Sequence, residues 1–204
     1  AKAYDNGFDW TFGYAYTDAK DVQPMNSAVA LTNYTSRAFF DPQEQVLSTS
    51  DYVIAHRFTA IANYERAFFD DYMTRVSAVA TANSGRPYSF TYSGFEGTEL
   101  VYGFTPYLDY LPNVLLPGGE RNGEDGSWWG KVDLRLEQEF GGIAEGHRTT
   151  GFIVIDNFTN LLNDEWGILR EADFPQTSEI GTPAEARIGD ASRYEIRLGV
   201  KYEF

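Results

Sequence analysis

Residues 194–204 alternate without a break. Tyr194, Ile196, Leu198, Val200, Tyr202 and Phe204 are apolar or aromatic, and Glu195, Arg197, Gly199, Lys201 and Glu203 stand between them. Successive side chains of a β-strand point to opposite faces, so one face of this strand is wholly apolar and the other polar. Its length matches the roughly 9 to 11 residues that a tilted strand needs to cross a bilayer.

Five earlier segments carry the same period. Phe8, Trp10, Phe12, Tyr14 and Tyr16 alternate with Asp9, Thr11, Gly13 and Ala15. Residues 52–64 put Tyr52, Ile54, His56, Phe58, Ala60, Ala62 and Tyr64 on one side, against Arg57, Thr59 and Asn63. Residues 72–92 give a longer, weaker pattern. In residues 128–140, Val132, Leu134 and Leu136 oppose Lys131, Asp133, Arg135, Glu137 and Glu139. Residues 150–158 are nearly continuous in apolar side chains, which leaves their facing ambiguous. The connections run long (18–51), short (65–71), long (93–127), short (141–147) and long (163–191). That is the rhythm of a membrane barrel with extracellular loops and periplasmic turns, whereas a soluble sandwich has more even turn spacing.

The rhythm predicts an orientation. With the long loops outside, Phe204 ends on the periplasmic side. Phe68, Phe69, Phe140, Tyr202 and Phe204 then lie at the inner edge, and Tyr14, Tyr16, Tyr52, Tyr88, Trp128 and Trp129 at the outer one, where aromatic girdles belong. Six strands are too few to close a barrel, and an open edge in lipid leaves backbone groups unsatisfied. Either two strands hide in the long loops, with residues 28–34 and 99–104 the weak candidates, or the remaining strands lie upstream of Ala1. The second is the preferred expectation.

Composition supports this reading and narrows the function. Aromatics form 16% of the chain, with 14 Tyr and 15 Phe, a mix suited to pleated surfaces. No run approaches the ~20 apolar residues of a helical span. Sixteen Lys and Arg against 30 Asp and Glu give a net charge of −14, which disfavours nucleic acid, whose phosphates need clustered cations. Cysteine is absent, so disulfides, thiolate metal sites and cysteine nucleophiles are excluded. The first ten residues lack a charged head followed by an apolar core and read as a mature start or a fragment.

Candidate sites are few. His56 and His147, the two histidines, have no ligand spacing around them, and a structural or solvated role is expected for both. Residues 118–126 (GGERNGEDG) read as a solvated loop tip, or less favourably as a calcium site without regular ligand spacing. Lys131, Asp133, Arg135, Glu137 and Glu139 are placed on a lumen face, where charge is ordinary and a substrate path is the alternative. Residues 102–112, rich in Tyr, are expected to pack a long loop on itself rather than grip sugars or peptides. No Ser/His/Asp set, phosphate-cradling loop or carboxylate pair can be argued, so no enzyme, cofactor or resident metal is expected.

Arg197, Gly199, Tyr202 and Phe204 resemble the terminal signal of outer-membrane proteins: a polar residue, Gly two later, then aromatics at the third-last and last positions. Several inner stretches resemble the C-terminal barrel of Oar-like TonB-dependent receptors. They are His56-Arg57-Phe58, Ser84-Gly85-Arg86-Pro87-Tyr88, Val132-Asp133-Leu134-Arg135-Leu136, and residues 157–167 (NFTNLLNDEWG). The resemblance implies an all-β fold, a transmembrane antiparallel barrel of about 22 strands with an N-terminal plug, of which residues 1–204 form the C-terminal segment. It implies a bacterial outer-membrane location and uptake of a bulky ligand driven through TonB. The implied partners are outer-membrane lipid and lipopolysaccharide, the barrel-assembly machinery, and the upstream strands and plug. Plug, TonB box and about two-thirds of the strands have no counterpart in the sequence. The alternatives are a self-contained eight-stranded barrel of structural or adhesive role, and a soluble all-β carbohydrate-binding module.

Overall fold

The computed structural model describes residues 1–25, 27–35, 37–41, 43–92, 100–102, 106–108, 111–112, 115–172, 176–177 and 185–204. Strand makes up 51% and helix 6%. The architecture is one seven-stranded antiparallel sheet capped at one end by the long connections. The strands are β1 (Lys2–Ala3), β2 (Phe8–Tyr16), β3 (His56–Phe69), β4 (Tyr72–Asn83), β5 (Trp129–Gly141), β6 (Arg148–Asp156) and β7 (Glu195–Glu203). They lie side by side in chain order, β1 to β7, as an up-and-down meander.

Six of the seven strands are those the alternation marks. β2 has the bounds read from the sequence, and the others shift by a few residues. β3 begins at His56 and runs on through Glu65 to Phe69, so the short connection between β3 and β4 shrinks to Asp70 and Asp71. Asp70 takes a left-handed conformation, φ 49°. β4 stops at Asn83, because residues 87–88 leave the sheet to pair with residues 124–125. Tyr88 therefore belongs to the loop layer and not to a girdle on the sheet. β1, the short seventh strand, turns into β2 through Gly7 (φ +85°), where the Glu65 carbonyl leaves no room for a side chain.

The two candidate extra strands resolve differently. Within residues 28–34 the chain coils into helix α1 (Ala30–Thr35). Asn33 causes this locally: its Oδ1 accepts from the Ser27 N–H (2.8 Å) and its Nδ2 donates to the Ser27 carbonyl (2.6 Å). These bonds close a turn at the start of the segment and compete with an extended backbone. Within residues 99–104 a strand does form, Leu100–Tyr102, but it pairs with Phe90–Tyr92 and Gln176–Thr177 in a small sheet separate from the main one.

All three long connections leave the same end of the sheet. They are knitted together rather than splayed. Arg121, 6% exposed, donates to Asp21 Oδ1 (2.9 Å) and to the Asp21 carbonyl. Asn122 donates to the Thr49 carbonyl (2.7 Å) and to Asp51, and takes the Ser89 hydroxyl on its own N–H (2.7 Å). Ser127 binds Glu185 through its N–H (2.8 Å) and its hydroxyl. The buried apolar residues, Phe39, Val53, Leu115 and Ile168, all lie in this loop layer. Among the described residues the core sits in the cap and not on the sheet.

Candidate functional site

Cross-strand register decides which side chains share a face, because directly paired residues point the same way. One row reads Trp10, Ala62, Ala78, Leu134, Ile155, Ile196; the next towards the short turns reads Phe8, Tyr64, Val76, Leu136, Ile153, Leu198. A single apolar face thus runs unbroken across six strands. The ambiguity of residues 150–158 resolves here. Ile153 and Ile155 lie on this face, while Phe152 and Val154 lie on the other, opposite Gly199 and Arg197.

Among the described residues nothing covers that face. Phe12 is 56% exposed, Leu198 75% and Val200 73%. The chain exposes 13254 Å² in all, against about 9,600 Å² expected of a compact monomer of this mass. A contiguous apolar face left uncovered in this way marks a surface that meets lipid or protein.

Aromatics flank the face at both ends. At the loop end Tyr14, Tyr16, His56, Phe58 and Trp128 form a continuous cluster, with His56 stacked on Trp128 at 5.8 Å and Tyr14 tilted against Phe58 at 4.7 Å. His56 Nδ1 shares a hydrogen bond with the Tyr14 hydroxyl (2.9 Å). At the turn end Phe68, Phe69, Phe140 and Tyr202 stand exposed. Trp129, assigned from sequence to the outer girdle, pairs with Asn83 and so points to the polar face.

The opposite face gathers the charge. Lys131, Asp133, Arg135, Glu137 and Glu139 all lie on it, and they are interlinked. Lys131 pairs with Asp133 (2.8 Å), and Arg135 Nε donates to Glu137 (2.7 Å). Glu139 is the hub: it accepts from Arg75 (2.7 Å), Arg148 (3.0 Å) and the Met73 N–H (3.2 Å). Asp133 also accepts from the Asn157 N–H (2.7 Å), which ties the stripe to the motif in residues 157–167. There the chain forms helix α2 (Phe158–Leu162). Asn157, 2% exposed and left-handed at φ 52°, donates through Nδ2 to the Gly167 carbonyl (2.9 Å), and Asn160 donates to the carbonyls of Asp164 and Trp166. The asparagines of this stretch are therefore structural, closing a small rim unit.

The terminal strand has the following surroundings. Arg197 pairs with Asp156 across to β6. Gly199 lies against the Phe152 ring, which occupies the place a Cβ would take, and the Arg135 guanidinium lies over that ring, 5.2 Å from its centroid. The Tyr202 hydroxyl bonds His147 Nδ1 (2.7 Å) and accepts from the Ile143 N–H (3.3 Å), pinning the last short turn. Phe204 is 98% exposed. The outer edge of β7 has no partner strand among the described residues.

The other candidates fare as follows. His56 and His147 each bond a tyrosine hydroxyl, and among the described residues no group of three or more His, Cys, Asp or Glu could hold a metal ion. In the 118–126 loop Gly118, Glu120, Gly123, Glu124 and Asp125 are exposed, whereas Arg121 and Asn122 turn inward and bond the neighbouring connection. Much of the tyrosine-rich stretch 102–112 lies outside the described residues. The 157–167 motif contains Asn157, but nothing in the sequence singles out Arg75 as a partner of Glu139, or Phe152 as a ring that packs on a glycine 47 residues away on the neighbouring strand.

Comparisons with protein-family models, with curated proteins and with solved structures each found no match.

Proposed function

We propose that residues 1–204 form part of the barrel of a TonB-dependent receptor in a bacterial outer membrane, a transporter of a bulky ligand. The observation that carries this is the apolar face that crosses six strands uncovered between two aromatic bands. In water such a face costs roughly 25 cal/mol for every Å² left exposed; in lipid it is matched. Two shallow hollows on it suit acyl chains. One is lined by Leu136, Ile153 and Leu198, the other by Trp10, Ala60 and Ala78. The long connections on one end and the short turns on the other give the sheet an outside and a periplasmic side. On this reading the cap faces outward and the charged face with Lys131, Asp133, Arg135, Glu137 and Glu139 lines the lumen.

Lipid also requires that both sheet edges be paired. The free edges of the sheet, β1 with the uncovered remainder of β2 on one side and β7 on the other, therefore meet further strands, which together with a plug complete the barrel. Arg197, Gly199, Tyr202 and Phe204 act as the assembly signal read by the barrel-assembly machinery, and lipopolysaccharide contacts the loop-end aromatic band. TonB acts through the plug. Fractionation tests the core of the proposal: the protein should sediment with outer membranes and leave them only in detergent. Recovery of folded protein in aqueous buffer would contradict it.

A further inference from the structure

A cleft of about 230 Å³ opens in the loop layer, away from the sheet. Its base is apolar and buried, formed by Phe39 and Leu115, and its rim is apolar and exposed, formed by Phe40, Val46 and Leu47. The Leu115 N–H donates to the Phe39 carbonyl (2.8 Å), so two different long connections build the base together. Three carboxylates, Asp41, Glu44 and Glu120, stand in the wall. Among the described residues none of the three forms an ion pair. The two arginines of the wall are used elsewhere: Arg121 on Asp21 (2.9 Å) and Arg37 on the Val22 carbonyl (3.0 Å). The wall therefore presents net negative charge beside an apolar slot.

We propose that this cleft binds a small organic cation, an ammonium joined by a short linker to one aromatic ring. The volume accommodates one ring and little more, since drug-sized ligands need about 300 Å³ or above. The ring enters against Phe39 and Leu115, where its burial supplies the affinity. The ammonium stays at the mouth with Asp41, Glu44 and Glu120, which fix orientation and select the sign of charge. The site is independent of which ligand the barrel transports.

Saturation-transfer NMR on the purified protein in detergent tests this with phenethylammonium as probe and 3-phenylpropionate as its anionic counterpart. The expected result is saturable transfer to the ring protons at roughly millimolar affinity, usual for so small a ligand, with the anion binding more weakly. Replacing Asp41→Asn together with Glu44→Gln should weaken the ammonium about threefold to tenfold, the range of two partly exposed charge contacts, and leave the anion unaffected or tighter. Leu47→Trp, a change at an exposed position, should fill the slot and abolish binding of both while far-ultraviolet circular dichroism stays unchanged. Equal binding of the two probes, no saturable binding, or binding that survives Leu47→Trp would overturn the proposal.

Discussion

Replacing Leu198 by Arg puts a charge at the middle of β7 on the apolar face, beside Ile153. If that face meets lipid, an arginine near the midplane costs about 2–4 kcal/mol, or roughly a thirtyfold loss or more in the folded-to-unfolded ratio. If the face meets water, the same change on a side chain already 75% exposed shifts stability by no more than about 0.5 kcal/mol. Thr11→Arg is the matched control, equally central on the opposite outer strand and exposed, but on the polar face opposite Ile61. Urea titrations of the protein folded into phosphatidylcholine vesicles, followed by tryptophan fluorescence, measure both. Leu198→Arg should show a lower midpoint and Thr11→Arg a near-parental one. Equal behaviour of the two variants within about 0.5 kcal/mol would refute the assignment of faces.

Other outcomes follow from single contacts. Gly199→Leu should lower assembled yield, because its side chain needs the space of the Phe152 ring, at a cost of about 1–3 kcal/mol; pairing it with Phe152→Ala should restore most of the yield, scored by heat-modifiable gel mobility. Asn157→Ala removes the bond to the Gly167 carbonyl and leaves a left-handed backbone, so it should destabilise the rim unit by about 1–3 kcal/mol and speed proteolysis between α2 and Trp166. Changing Tyr202 and Phe204 together to Ser should sharply reduce outer-membrane assembly in cells; normal assembled levels would rule out the terminal signal.

The sheet was legible because its period is strict where both faces have unlike surroundings. In β7 every even side chain is apolar, so its two faces are readable from the sequence alone. Residues 150–158 were not legible, since Phe152 is apolar yet sits on the polar face. It can do so because Gly199 opposite it has no side chain, a pairing that becomes visible only once the strands are side by side. Residues 28–34 are a weak strand candidate for a different reason. Their apolar start suits a strand, but Asn33 bonding back to Ser27 decides in favour of α1. The charged stripe was readable as a stripe, whereas its hub was not: Glu139 draws on Arg75, Arg148 and Met73, which come from two other strands. The cap lay furthest from view, because Arg121 and Asp21 are 100 residues apart and no periodicity connects them.

The absence of native cysteine makes β7 itself the most direct test of the account. Single cysteines placed at each position from 195 to 203 except Gly199, where the Phe152 ring leaves no room for a side chain, and spin-labelled in the membrane-inserted protein, report exposure to lipid-soluble oxygen and to a water-soluble nickel complex. Positions 196, 198, 200 and 202 should favour oxygen while 195, 197, 201 and 203 favour nickel, with the oxygen signal strongest near 198 and 200. Even and odd positions equally open to the nickel complex would contradict a lipid-facing sheet.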